Sequence, residues 1–85
     1  MNNINRRTGN YEERGTTPQM RRILTGARLK NLRGDTPQYK VAEKLGVSVS
    51  CISMYENGRR VPSDEKKRIL AGMYSRSVED IFFAD

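Results

Sequence analysis

The sequence contains no histidine and a single cysteine, Cys51. One thiol cannot close an intramolecular disulfide. Structural zinc takes four Cys or His ligands, so a zinc site built from this chain alone is not expected. The missing histidine also removes the commonest general base. No nucleophile, base and metal constellation can be assembled, so no catalytic residue, no cofactor and no enzymatic activity are expected. Long apolar runs are lacking as well, and none approaches the ~18 residues that read as a membrane span. The N-terminus has no apolar core of the kind a signal peptide carries. These absences leave a cytoplasmic, non-enzymatic protein with no membrane partner as the expectation.

Positive charge is what the chain has in surplus. Lys and Arg number 16 against 10 Asp and Glu, a formal net charge of +6 over 85 residues. A basic surplus of this size on a small chain suits a polyanionic partner such as nucleic acid. The length allows one small domain, whose marginal core would gain from dimerisation or tight helix packing.

Residues 1–17 offer Ile4 and Tyr11 as their only sizeable apolar groups beyond Met1. Such a stretch buries too little to offset its ordering entropy, which predicts a disordered tail. Its Arg6, Arg7 and Arg14 outweigh Glu12 and Glu13. A basic arm of this kind can reach into a neighbouring DNA groove, although a solvated tail is the simpler reading.

The folded part is expected over residues 18–85. Thr17-Pro18 is a helix start, cap then proline at the first position. Ile23, Ala27, Leu29 and Leu32 share a broad helical face, and Met20 and Leu24 extend it upstream. Thr25-Gly26 weakens the middle and allows the helix to begin only there. Gly34 stops it. Thr36-Pro37 repeats the start signal, and Val41, Ala42 and Leu45 follow on one face. Gly46 ends this second helix, Val47 packs back, and Ser48 caps a third helix that Asn57-Gly58 stops. Arg59 to Pro62 form a basic connection. Ser63-Asp64-Glu65 opens a fourth helix with an Ile69, Leu70 and Met73 stripe. Ser77 to Asp80 resemble a capping box leading into a short fifth helix over Ile81, Phe82 and Phe83.

The pattern is therefore all-α with five helices, organised around Gln38 to Gly58. Ala42 is small where two helices must cross closely. Gly46 accepts the positive φ of the turn. Ile52 and Tyr55 anchor the third helix by burial and leave Val49, Ser50, Ser53 and Met54 outward. A helix N-terminus presented in this way can enter a major groove and point at base edges.

The stretch QYKVAEKLGVSVSCISMYENGRRVPS resembles the helix-turn-helix of the phage repressor and Cro family, also called the XRE family. Its specific features are Gln38, Ala42, the LGVS at Leu45 to Ser48, Ile52-Ser53, and the YENG at Tyr55 to Gly58. The resemblance covers residues 26–83. It implies a five-helix, lambda-repressor-like domain and a sequence-specific DNA-binding transcriptional repressor of a phage, mobile element or bacterial nucleoid. A homodimer would use the fifth-helix region on a two-fold operator.

On that resemblance Val49, Ser50, Ser53 and Met54 would face the bases. Gln38, Ser48, Asn57, Arg59 and Arg60 would meet phosphates. Glu56 would form a structural ion pair with an arginine of the first helix, here Arg33. Relatives often carry Gln, Arg or Asn on the reading face, so thymine-methyl contact and DNA shape are expected to count for more here. The chain stops just past the fifth helix, so no separate effector domain is expected. Two alternatives are a toxin–antitoxin partner that binds a toxin protein and its own promoter, and a scaffold that binds protein or RNA on the same fold.

Overall fold

The computed structural model describes residues 17–84. The disordered tail expected over residues 1–17 lies, apart from Thr17, outside them. Five helices follow in order: α1 Pro18–Arg33, α2 Gln38–Leu45, α3 Val49–Glu56, α4 Asp64–Met73 and α5 Glu79–Phe83, the last a single wide π-type turn. The described residues contain no strand, so the fold is the all-α, five-helix one that the hydrophobic pattern predicts.

α1 starts where the Thr17-Pro18 pair predicts. The Thr17 hydroxyl accepts from the Met20 N–H at 3.1 Å, and Pro18 needs no backbone partner in the first turn. Two expectations for this helix fail. It does not wait for Gly26 but runs unbroken for 16 residues. Its upstream apolar residues are not core: Met20, Ile23 and Leu24 are each about half exposed, and Ala27 is exposed too. At 100° per residue these four lie on the side of the helix opposite Leu29. Gly26 and Leu29 form the face that is buried, with Leu32 packed at its edge.

The expected cap of α2 also differs. Pro37 is the capping residue, with no side-chain hydrogen bond, and Gln38 is the first helical position. The Thr36 backbone is instead taken by the end of α1. Its N–H donates to the Arg33 carbonyl at 3.0 Å, and its carbonyl accepts from Arg33 Nη1 at 2.8 Å. At the turn Gly46 has φ 73° and ψ 34°, the left-handed conformation that favours glycine. The Val47 N–H then reaches back to the Ala42 carbonyl at 3.0 Å, closing the end of α2. Ser48 starts α3 by accepting from the Cys51 N–H at 3.1 Å.

The core gathers Leu29 from α1, Val41, Ala42 and Leu45 from α2, Cys51, Ile52 and Tyr55 from α3, Leu70 and Ala71 from α4, and Ile81 and Phe82 from α5. In α4 the burial sits on Leu70 and Ala71, with Met73 partly buried and Ile69 turned outward. Ser75 adopts φ 55°, a left-handed conformation uncommon for a residue with a side chain. Val78 is the capping residue of α5, and the Ser77 hydroxyl before it accepts from the Asp80 N–H at 3.0 Å. The chain end is fastened to α1 by Arg28, whose Nη1 donates to the Ile81 carbonyl at 2.6 Å and Nη2 to the Ala84 carbonyl at 3.0 Å. No helix of the described residues is long and apolar enough to cross a membrane.

Candidate nucleic-acid interface

α3 is the element the rest of the fold holds in place. Its eight residues divide into two faces. Cys51, Ile52, Tyr55 and Glu56 are buried, whereas Val49 and Ser50 are exposed and Ser53 and Met54 partly so. The inner face binds α3 to α1 at close range. A Cβ built on Gly26 would stand 2.7 Å from the Tyr55 carbonyl oxygen and from the Glu56 carbonyl carbon. Only a residue without a side chain lets the two backbones approach so closely.

Glu56 ends α3 as a buried carboxylate and gathers three elements around itself. Arg33 at the end of α1 forks onto it, with Nε 2.7 Å from Oε2 and Nη2 3.0 Å from Oε1. The pair is largely withdrawn from solvent, at 14% and 4% side-chain exposure for Arg33 and Glu56. Gln38, first residue of α2, donates its Nε2 to Glu56 Oε1 at 3.0 Å. The Glu56 hydrogen bond holds the Arg33 guanidinium protonated beyond its ordinary range, against the opposing effect of burial. Tyr74 shares the neighbourhood: burial first, then the Glu56 charge, pushes its phenol up, while Arg33 draws it down.

The network involves Gln38 in a way that sequence reasoning missed. A carboxylate has two oxygens and about four acceptor sites, more than one guanidinium fork fills. That spare capacity was the available signal. One Gln38 amide hydrogen is committed to Glu56, and the second remains to donate outward.

The other candidate donors flank α3 along the chain, Ser48 before its start and Asn57, Arg59 and Arg60 past its end. Ser48 has a lone pair committed to the helix cap, with its O–H left to donate. Asn57 Nδ2 donates to Ser53 Oγ at 3.3 Å, tying the end of α3 to its accessible face. Arg59 and Arg60 are exposed, and Arg60 Nη1 also lies 3.9 Å from Cys51 Sγ. The 57–60 turn is seated by Gly58, whose missing Cβ would fall 2.9 Å from the Ile23 Cα. Tyr39, beside Gln38 and well exposed, is a further accessible side chain at this edge.

A family model described as Helix-turn-helix matches residues 28–81. The chain belongs to this helix-turn-helix family, of the XRE type. Comparison with curated proteins and with solved structures found no match. The helix-turn-helix is α2, the Gly46 turn and α3, and the family makes the protein a DNA-binding transcription regulator. Within it the structure brings Val49, Ser50, Ser53 and Met54 to one accessible face. It sets Gln38 and Ser48 at two helix starts, and Asn57, Arg59 and Arg60 beyond the end of α3.

Proposed function

We propose that the protein is a sequence-specific repressor that lays α3 in the major groove of its operator and acts as a homodimer. The division of α3 carries the reading. Four buried residues hold the helix against the core, and four accessible ones, Val49, Ser50, Ser53 and Met54, are left for base edges. Gln38, Ser48, Asn57, Arg59 and Arg60 supply hydrogen-bond donors and charge for phosphates on either side. Residues 18–85 form the binding unit in this reading, working in a bacterial or phage-infected cytoplasm. A second copy on a two-fold operator would set half-sites roughly 34 Å apart. A groove helix with few polar tips reads shape and thymine methyl groups, while the phosphates supply most of the affinity.

A toxin-binding antitoxin is the second reading. The outward stripe of Met20, Ile23 and Leu24 on α1 supports it, because an apolar face opposite the core suits a protein partner. A second small protein co-purifying with the chain, and lost on Ile23→Ser, would favour it.

The test of the main reading is the salt dependence of binding to an operator selected from random DNA. Arg59→Ala with Arg60→Ala is expected to weaken binding to all sequences alike. It should reduce the slope of log K against log salt by about 2. An unchanged slope would remove both arginines from the phosphate contacts.

A further inference from the structure

A groove of about 230 Å³ opens where the start of α1, the 59–62 connection and α5 meet. Leu29, Tyr55, Pro62 and Phe82 line it with apolar surface. All four are buried. Arg21, Arg22, Arg60 and Lys67 stand at its rim, and no carboxylate is among the described lining residues.

Three of these cations, Arg22, Arg60 and Lys67, are poorly compensated. Lys67 Nζ is 3.9 Å from Asp64, whose side chain is 87% exposed, and such a contact is worth little. The same ammonium lies 5.0 Å from the Phe83 ring centre and 5.6 Å from that of Phe82, beside the apolar floor. Arg60 Nη1 lies 3.9 Å from Cys51 Sγ and has no carboxylate partner among the described residues. Arg22 has no carboxylate partner among the described residues. Like charges around a low-dielectric floor repel one another, and an anion seated among them relieves that repulsion.

We propose that this groove binds a small organic anion, an apolar ring bearing a carboxylate or phosphate, and that its occupancy competes with DNA for Arg60. The ring would rest on Phe82, Pro62 and Tyr55 while the anionic group meets the rim. Pockets for drug-sized ligands run from about 300 Å³ upward, so this one fits a smaller molecule. A second copy of the chain would bring its own cations against these three. Duplex DNA is anionic but has no apolar ring to lower into the floor. The competition clause rests on the phosphate role given to Arg60 above, and the ligand clause does not.

The test is a titration of the full chain, followed by NMR, with 2-naphthoate, its neutral amide 2-naphthamide, and acetate. Naphthoate is expected to shift the signals of Leu29, Lys67, Phe82 and Phe83 and to bind at least tenfold more tightly than the amide. Acetate should leave those signals in place. Arg22→Met and Phe83→Ala are each expected to weaken naphthoate severalfold. Equal binding of acid and amide, no binding, or shifts confined to the exposed face of α3 would overturn the site. Binding that appears only with Glu12→Lys and Glu13→Lys would assign the groove to the chain's own N-terminal segment and overturn it too. So would groove signals already protected in a dimer that Phe83→Ala dissociates.

Saturating naphthoate should raise the operator Kd, and operator should raise the naphthoate Kd by the same factor. Naphthoate binding with unchanged operator affinity would overturn the competition for Arg60. A chain that binds no DNA at any salt would overturn the functional reading alone, since the titration is read without DNA.

Discussion

Gly26 of α1 and Glu56 of α3 meet backbone to backbone. A methyl group on Gly26 would press into the Glu56 carbonyl and stand 2.7 Å from that of Tyr55. Helix propensity and packing therefore make opposite predictions for Gly26→Ala. Propensity alone favours alanine by roughly 1 kcal/mol in a helix interior. Overpacking against a backbone costs about 1–3 kcal/mol. Carbonyl groups of a packed helix cannot swing aside as a side chain can, so packing should win. A lower urea midpoint is expected for Gly26→Ala, and a higher one would show that α1 and α3 can move apart without loss.

The same glycine shows what the sequence could and could not reveal. Ile52 and Tyr55 were legible as inward because three-residue spacing puts them on one face of a short helix bounded by Ser48 and Gly58. Gly46 was legible because a helix followed at once by another needs a left-handed residue between them. Gly26 looked like a weak point, since a local reading sees only its low propensity and not the backbone across from it. Met20, Ile23 and Leu24 looked like core for a related reason. Their period is helical, but periodicity cannot say which side of the helix meets a neighbour. The site residues followed the same division: the face of α3 could be read from spacing, whereas the bond from Gln38 to Glu56 joins residues 18 apart and needs the fold.

The Arg33–Glu56 pair should be costly to break and cheap to replace. Arg33→Ala leaves a carboxylate that is 4% exposed with Gln38 as its remaining side-chain donor. Breaking a buried pair in this way costs about 3–5 kcal/mol. Replacing both members, Arg33→Met with Glu56→Met, removes the uncompensated charge and should restore most of the loss. Chemical denaturation of the two variants checks this. Equal destabilisation by both would mean that the bond geometry, and not the stranded charge, sets the cost.

Tyr55 ties stability to alkaline pH. Burial, with a hydrogen bond to Cys51 adding to it, pushes the phenol from its ordinary 10 up to about 12. The unfolded chain releases this proton first. The contribution of Tyr55 is therefore complete below pH 10 and is lost as pH rises towards 12. Tyr55→Phe has no proton to release, so its stability should fall less steeply over that window. Melting temperatures from pH 9 to 12 provide the check, and parallel curves for the two proteins would exclude Tyr55 as the source.

Met54 separates base reading from simple adhesion. It is partly exposed on α3, on the same face as Val49, Ser50 and Ser53, and carries no charge for a phosphate. In the proposed docking its flexible thioether would lie against a thymine methyl or another apolar base edge. Met54→Ala should then cost roughly 1 kcal/mol on the selected operator and little on random DNA. The salt slope should not change, because no phosphate contact is lost. Arg59→Ala with Arg60→Ala is expected to show the opposite pattern, weak everywhere and with a flatter slope. Measuring both variants on both DNAs at two salt concentrations distinguishes the roles. A uniform loss for Met54→Ala across sequences would mean that the residue supports the position of α3 and does not face a base.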